Sequence, residues 1–119
     1  MKVVIAGSRS ITSYGLVKYA ITLSNFDITE VVSGRARGVD RLGERWATEN
    51  SIPIKYFPAD WEQYGKAAGF VRNSEMVEYA DAVIAIWDGK SKGTEHTINL
   101  CRKSNKKLYV YILLEKQNE

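Results

Sequence analysis

Residues able to hold an anion recur in four short stretches of the sequence. They are Gly7-Ser8-Arg9-Ser10, Ser33-Gly34-Arg35-Ala36-Arg37-Gly38-Val39-Asp40, Pro58-Ala59-Asp60-Trp61 and Asp88-Gly89-Lys90-Ser91-Lys92-Gly93-Thr94. Glycine lets backbone N–H groups approach a ligand, a helix N-terminus adds positive potential, and Arg or Lys adds charge-assisted hydrogen bonds, so this combination suits phosphate. Turn geometry accounts for the glycines but does not require Arg9, Arg35 and Arg37. Gly7, Ser8, Arg9, Ser33, Gly34, Gly38, Gly93 and Thr94 are therefore read as a phosphate cradle. Arg35, Arg37, Arg72, Lys90 and Lys92 are read as countercharge, with Asn73 beside Arg72. Asp40, Asp60 and Asp88 are candidates for ribose or metal-bridged contacts, and Trp61 or Tyr64 could stack on a base or plug the edge of the core. Neither G-x-x-x-x-G-K-[ST] nor G-x-G-x-x-G occurs, which disfavours a P-loop NTPase and ordinary NAD binding.

Other residue types narrow the chemistry. One cysteine, Cys101, and one histidine, His96, leave no disulfide framework and no zinc site, so no metal ligand set and no required cofactor are expected. Cys101 falls on the apolar side of a helix and reads as a small core residue. His96 could act as an acid or base, but no partner is assignable to it. The formal charge of +3 permits an anionic partner without requiring one.

The elements that must position these residues follow from hydrophobic periodicity. Short apolar runs at Lys2 to Ala6, Glu30 to Val32, Pro53 to Phe57, Ala82 to Trp87 and Leu108 to Leu114 alternate with amphipathic stretches. The first, fourth and fifth runs are nearly continuous in apolar residues, as in a parallel sheet covered on both faces. The first helix carries Leu16, Val17, Ala20, Ile21 and Leu23, with Thr12 or Ser13 as its N-cap. The second carries Val39, Leu42, Gly43, Trp46 and Ala47. The third runs from about Ala67 to Tyr79 with Phe70, Val77 and Ala80 facing in, and the fourth starts near Gly93-Thr94 with Ile98 and Cys101 inward. The stretch Pro58 to Gly65 reads as a long loop.

This βαβαβαβαβ pattern predicts an α/β fold: a Rossmann-like three-layer sandwich with a parallel sheet of about five strands in the order 3-2-1-4-5, forming a single domain over residues 1–119. Ligands of such sheets sit beyond the carboxyl ends of the strands where the order reverses, here between the first and fourth. The four stretches above share that edge. Arg102, Lys103, Lys106 and Lys107 gather instead at the far end of the fourth helix, where cations suit the dipole. No apolar run approaches the ~20 residues that span a bilayer, so a soluble cytoplasmic protein without a membrane partner is expected.

At these loops the sequence resembles a known family. Gly7-Ser8-Arg9, Val32 to Glu44, Pro58-Ala59-Asp60-Trp61 through Gly69, Arg72-Asn73 to Met76, and Trp87 to Thr94 look like the YspA type (cpYpsA-related) of the SLOG superfamily, in order and over nearly the whole chain. The superfamily includes the LONELY GUY phosphoribohydrolases and the DNA-processing protein A family. The resemblance implies a Rossmann-like fold, a site for a nucleotide or ADP-ribose-like ligand, and an origin in bacteria or their phages. It also implies pairing of subunits, so a homodimer is expected, with Trp46 or Tyr79 as candidate contacts. The phosphoribohydrolases use an arginine on the third helix and a glutamate in P-G-G-x-G-T-x-x-E. Arg72 resembles that arginine and Gly93-Thr94 the G-T, while Thr97 takes the place of the glutamate. Glu95 falls two residues early, about 200° round the helix.

Three functions follow as expectations. The first is a binding module, sensor or sequestering, for a small nucleotide-like ligand at the C-terminal edge of the sheet. The second is a nucleotide N-glycosidase in which Arg72 orients phosphate and Asp88, Glu95 or Asp60 supplies the carboxylate that bond cleavage needs. The third is a single-stranded nucleic-acid binder, with Trp61 and Tyr64 stacking and the lysines of the last helix tracking phosphates.

Overall fold

The computed structural model describes residues 1–114. Its elements are β1 (Lys2–Gly7), α1 (Tyr14–Ser24), β2 (Glu30–Ser33), α2 (Val39–Glu49), β3 (Ile54–Tyr56), α3 (Trp61–Tyr64), α4 (Ala68–Tyr79), β4 (Ala82–Trp87), α5 (Lys92–Lys103) and β5 (Lys107–Ile112). A 3-10 turn, Gly65–Ala67, joins α3 to α4. The five strands form one parallel sheet in the order β3-β2-β1-β4-β5, as the sequence pattern predicts. Among the described residues no helix is long and apolar enough to cross a membrane.

Alternation along the central strands feeds two cores. Val3, Ile5, Val31, Ile84 and Ile86 pack under α1 and α2 against Val17, Ala20, Ile21, Val39 and Ala47. Val4, Ala6, Val32, Val83 and Ala85 face α4 and α5, meeting Met76, Val77, Ala80, Ile98 and Cys101. Each fully buried Val, Ile or Met side chain contributes about 1.5–3 kcal/mol. These two layers hold the sheet, which frees the loops at its C-terminal edge to carry polar residues.

Helix starts follow local capping. Ser13 accepts from Leu16 N–H at 3.2 Å and opens α1. Ser91 accepts from Thr94 N–H, so α5 begins at Lys92, a residue before the expected start. Gly7 is fixed by packing: a Cβ there would lie 2.1 Å from the Ile86 carbonyl oxygen and 2.8 Å from the Val39 side chain. Only glycine lets β1, β4 and α2 meet at that point.

Three expectations need correction. Phe70 is 49% exposed and does not face the core. The inward positions of α4 are Ala68, Arg72, Asn73, Met76 and Val77, and Phe70, two residues from Arg72, points about 200° away, where it meets the His96 ring edge-on with centroids 4.6 Å apart. The Pro58 to Gly65 loop contains a helical turn, α3, because the Asp60 carboxylate accepts from Gln63 N–H at 3.1 Å. The last apolar run ends as a strand at Ile112, with Ile112, Leu113 and Leu114 exposed. β5 is an edge strand with one neighbour, so its apolar side chains are covered only in part.

Candidate functional site

Between β1 and β4 the chain leaves the sheet toward opposite faces, and a cavity of about 440 Å³ opens at the ends of these strands. Two bonds fasten its floor. Ser8 N–H donates to the Ile86 carbonyl at 3.0 Å, and Asp88 N–H donates to Ser8 Oγ at 3.0 Å. Asp88 in turn shapes the loop before α5: its Oδ1 accepts from Lys90 and Ser91 N–H, each at 2.8 Å. The Ser91 and Lys90 amides hold its carboxyl below the usual aspartate range.

Arg72 enters from α4. It is only 9% exposed, and its guanidinium donates through Nη1 to the Gly34 carbonyl and through Nε to Asn73 Oδ1. A Cβ on Gly34 would sit 2.7 to 3.0 Å from that guanidinium, so Gly34 makes room for it. Burial lowers the Arg72 pKa, opposed by Asp40 and reinforced by Arg9. Asp40, 5% exposed on the first turn of α2, accepts from Ala36 N–H at 3.3 Å. Burial pushes its carboxyl up to about 6, against the pull of the Ala36 amide, Arg72 and the Gly7 amide. Among the described residues Arg72 and Arg9 have no carboxylate within 4 Å.

The α5 side is similarly knitted. Asn73 Nδ2 donates to the Gly93 carbonyl at 3.3 Å and lies 3.3 Å from His96 Nδ1. Thr97 donates its hydroxyl to the same carbonyl, and the Thr94 hydroxyl donates to Ser91 Oγ. Burial lowers the His96 pKa, with Lys103 adding to the shift.

The structure divides the residues singled out in the sequence. Gly7, Ser8, Arg9, Asp40, Arg72, Asn73, Asp88, Gly93 and Thr94 line the cavity together. Gly34, Arg35, Arg37 and Trp61 line a neighbouring groove of about 480 Å³, which Arg9 and Arg72 also border. Others lie elsewhere. Ser33 is buried, donating to Glu44 Oε2 at 2.6 Å and accepting from Arg35 N–H at 3.1 Å. Gly38 lies behind the cradle, against the Ser8 and Arg9 carbonyls at φ +77°. Asp60 caps α3, and Glu95 and Lys92 are exposed on the first turn of α5 and line neither space. Lys90 borders a separate apolar groove with Ile11, Leu16, Leu113 and Leu114, so the Lys90/Lys92 pair does not join the arginines. Sequence reasoning did not assign Ser10, Ala36, Met76, Ser91 or Thr97 to the cavity lining, nor Arg41 to the groove. Ser91 carried a signal in its S-x-x-T spacing, a helix N-cap pattern, and Arg41 in its place as the third arginine of the Arg35–Arg41 run.

Of the cations at the far end of α5, Arg102, Lys103 and Lys107 are exposed and Lys106 serves the scaffold. Lys106 Nζ donates to the Val77, Glu78 and Ala80 carbonyls at 2.6, 2.8 and 2.6 Å, closing the C-terminus of α4. It lies just before β5, on the sheet edge opposite Arg9 and Trp61, which separates it from any stacking residue there. Cys101 is buried in the core, Trp46 packs against the α1/α2 side, and Tyr79 packs at a tilt against Phe57 and donates to Glu30 Oε1.

This arrangement has relatives. A model of the YspA, cpYpsA-related SLOG family matches residues 1–64, more than half of the chain. The chain belongs to this SLOG family. The matched segment holds β1, β2, α2 and the loops that carry Ser8, Arg9, Gly34 and Asp40. Over 80 residues the chain is 40% identical to the Gene 61 protein of Mycobacterium phage D29; the match covers 62% of this chain and 64% of that one, so the chain spans less than two thirds of that relative. Among solved structures it is similar to DNA processing protein A from Helicobacter pylori, described for its single-stranded DNA binding mode. That likeness has a TM-score of 0.63 at 25% identity and covers 100% of this chain and 67% of the other. Within the SLOG fold, the position implied for a phosphoribohydrolase glutamate is occupied by Thr97, which does line the cavity, while Glu95 stays outside it.

Proposed function

We propose that this SLOG chain binds a nucleotide or nucleotide-derived ligand, ADP-ribose-like or a nucleoside phosphate, with a phosphate in the cavity between β1 and β4, and that it acts as a sensor or sequestering module. One observation carries the reading. A nearly buried guanidinium, Arg72, and an exposed one, Arg9, border the same cavity, and among the described residues neither has a carboxylate within 4 Å. A buried charge without a counterion is costly. Asp40 offsets it only in part, since its carboxylate lies more than 4 Å from the guanidinium. A phosphate would supply the missing negative charge, and the first turn of α5, bearing Gly93 and Thr94, adds favourable dipole potential.

The carboxylates favour holding over hydrolysis. A glycosidase needs a carboxylate at the bond that breaks. Asp88 is engaged by two amides, Asp40 is buried against Ala36, and Asp60 and Glu95 lie outside the cavity. Nucleic acid is the second reading, supported by the likeness to a protein whose structure describes single-stranded DNA binding.

Thermal-shift measurements with AMP, ADP-ribose and NAD test the proposal. A ligand at 100 times its Kd adds about 2.7 kcal/mol, so at least one should raise Tm at millimolar concentration, with the shift reduced in Arg9→Ala. No shift with any of them would overturn the reading.

A further inference from the structure

Next to the cavity, on its β2 and α3 side, the groove of about 480 Å³ is bordered by Arg9, Arg35, Arg37, Arg41 and Arg72, and no carboxylate lines it. Part of this wall is fixed. Arg35 adopts φ +64°, a left-handed conformation costly for a residue with a Cβ. It is held there by its N–H to Ser33 Oγ, by its guanidinium 3.6 Å from Glu44 Oε2 and 4.7 Å over the Tyr56 ring, and by its carbonyl, which accepts from Arg41 Nε at 3.1 Å. The rest is uncommitted. Arg9 and Arg37 make no hydrogen bond or ion pair among the described residues, and Trp61, 57% exposed, forms part of the lining.

Glu44 compensates Arg35 and Asp40 part of Arg72, but Arg9, Arg37 and Arg41 have no carboxylate within 4 Å among the described residues and repel each other unless an anion enters. The groove and the cavity are each of a size that holds a small ligand, about 300–1,000 Å³, and they share Arg9 and Arg72. One phosphate cannot occupy both. An exposed tryptophan beside a basic wall suits an unpaired base, which offers a π-face for stacking while its backbone follows the charges.

We propose that this groove is a second phosphate subsite, with Arg37 and Arg41 as its phosphate contacts and Trp61 as a stacking platform, so that the chain takes a single-stranded oligonucleotide across both spaces. The inference rests on the cavity reading above and extends it. Bridging two subsites makes the second contact intramolecular, and each added phosphate contact on a single strand steepens the salt dependence.

The test is a titration of the full chain with AMP, a 5′-phosphorylated tetra-deoxyadenylate and a blunt-ended hairpin duplex whose G·C-rich stem stays paired, for the native chain, Arg37→Ala and Trp61→Ala. The tetranucleotide is expected to bind at least tenfold tighter than AMP and tighter than the duplex. Arg37→Ala should remove most of that gain and lower the magnitude of the slope of log K against log salt by about 0.7, leaving AMP affinity unchanged; Trp61→Ala should narrow the preference for the single strand. Equal affinity for AMP and the tetranucleotide overturns the second subsite while leaving the cavity reading standing. A duplex bound as tightly as the single strand overturns the stacking role, and binding of none of the three overturns both proposals. A tetranucleotide bound through Arg37 without AMP binding supports the groove and contradicts the cavity.

Discussion

At the N-terminal edge of the sheet, Lys106 Nζ donates to three carbonyls at the end of α4, and the amino group of Met1 donates to the Asp27 carbonyl and to Thr29 Oγ1. At the C-terminal edge, Arg9 and Arg37 donate to nothing among the described residues, and Arg72 is held by a carbonyl and an amide oxygen with no carboxylate within 4 Å. The same sign of charge therefore serves two ends. At one edge Lys106 is consumed in completing backbone hydrogen bonds, where lone carbonyls at a helix end need donors. The other leaves Arg9 and Arg37 without a protein partner among the described residues.

Substitutions can break or sharpen this contrast. The largest effect is expected from Gly7→Ala, which puts a methyl 2.1 Å from the Ile86 carbonyl oxygen. Urea denaturation should report a loss of about 3 kcal/mol or more, with ligand binding lost alongside. Native-like stability would mean that the packing of β1, β4 and α2 does not set the edge. Lys106→Met comes next: removing three donors to helix-end carbonyls should lower unfolding free energy by ~1–3 kcal/mol and leave nucleotide affinity unchanged. A loss of affinity instead would erase the distinction between the edges. Arg9→Ala should do the opposite, weakening nucleotide binding about tenfold, or ~1.4 kcal/mol, with unfolding free energy within about 0.5 kcal/mol of the native chain.

Asp40 tests the C-terminal edge through pH. Its folded-state carboxyl, raised by burial from an ordinary 3.8 to about 6, binds a proton more tightly in the folded chain than in the unfolded one. Its contribution to stability is therefore full below about pH 4 and declines as pH rises toward 6 and beyond. Between pH 5 and 7 the decline attributable to this group is about 1 kcal/mol. Asp40→Asn should remove it while keeping an acceptor for Ala36 N–H, so the stability difference between the two chains should change across that window. A constant difference would place the titration elsewhere.

The fold was legible because periodicity reports burial, and burial is what parallel strands and amphipathic helices have in common. The central strands and the core role of Cys101 follow from it, while the strand order follows from right-handed, short connections between the elements. Edge effects were less legible. Leu113 and Leu114 are as apolar as Ile84, yet they lie past the end of β5 at the sheet's edge and are exposed. In the site, residue type indicated phosphate chemistry but not which contacts were already taken inside the chain. Ser33 looks like a ligand hydroxyl until Glu44, eleven residues on, is found to accept from it. Gly7 looks like a cradle glycine, yet its lack of a side chain is required by Ile86, far away in sequence. The sequence already separates Arg9, Arg37 and Arg72 from Lys106; that Lys90 borders a different groove, and that Lys92 lines neither the cavity nor the arginine groove, is visible only in three dimensions.

An amide chemical-shift titration of the uniformly ¹⁵N-labelled chain with AMP tests the central claim most directly, because it reports on both edges at once. The largest shifts are expected at Gly7, Ser8, Arg9, Gly93 and Thr94, with Lys103 to Lys107 unmoved. Shifts concentrated at Lys103 to Lys107, or no shift at millimolar nucleotide, would contradict it.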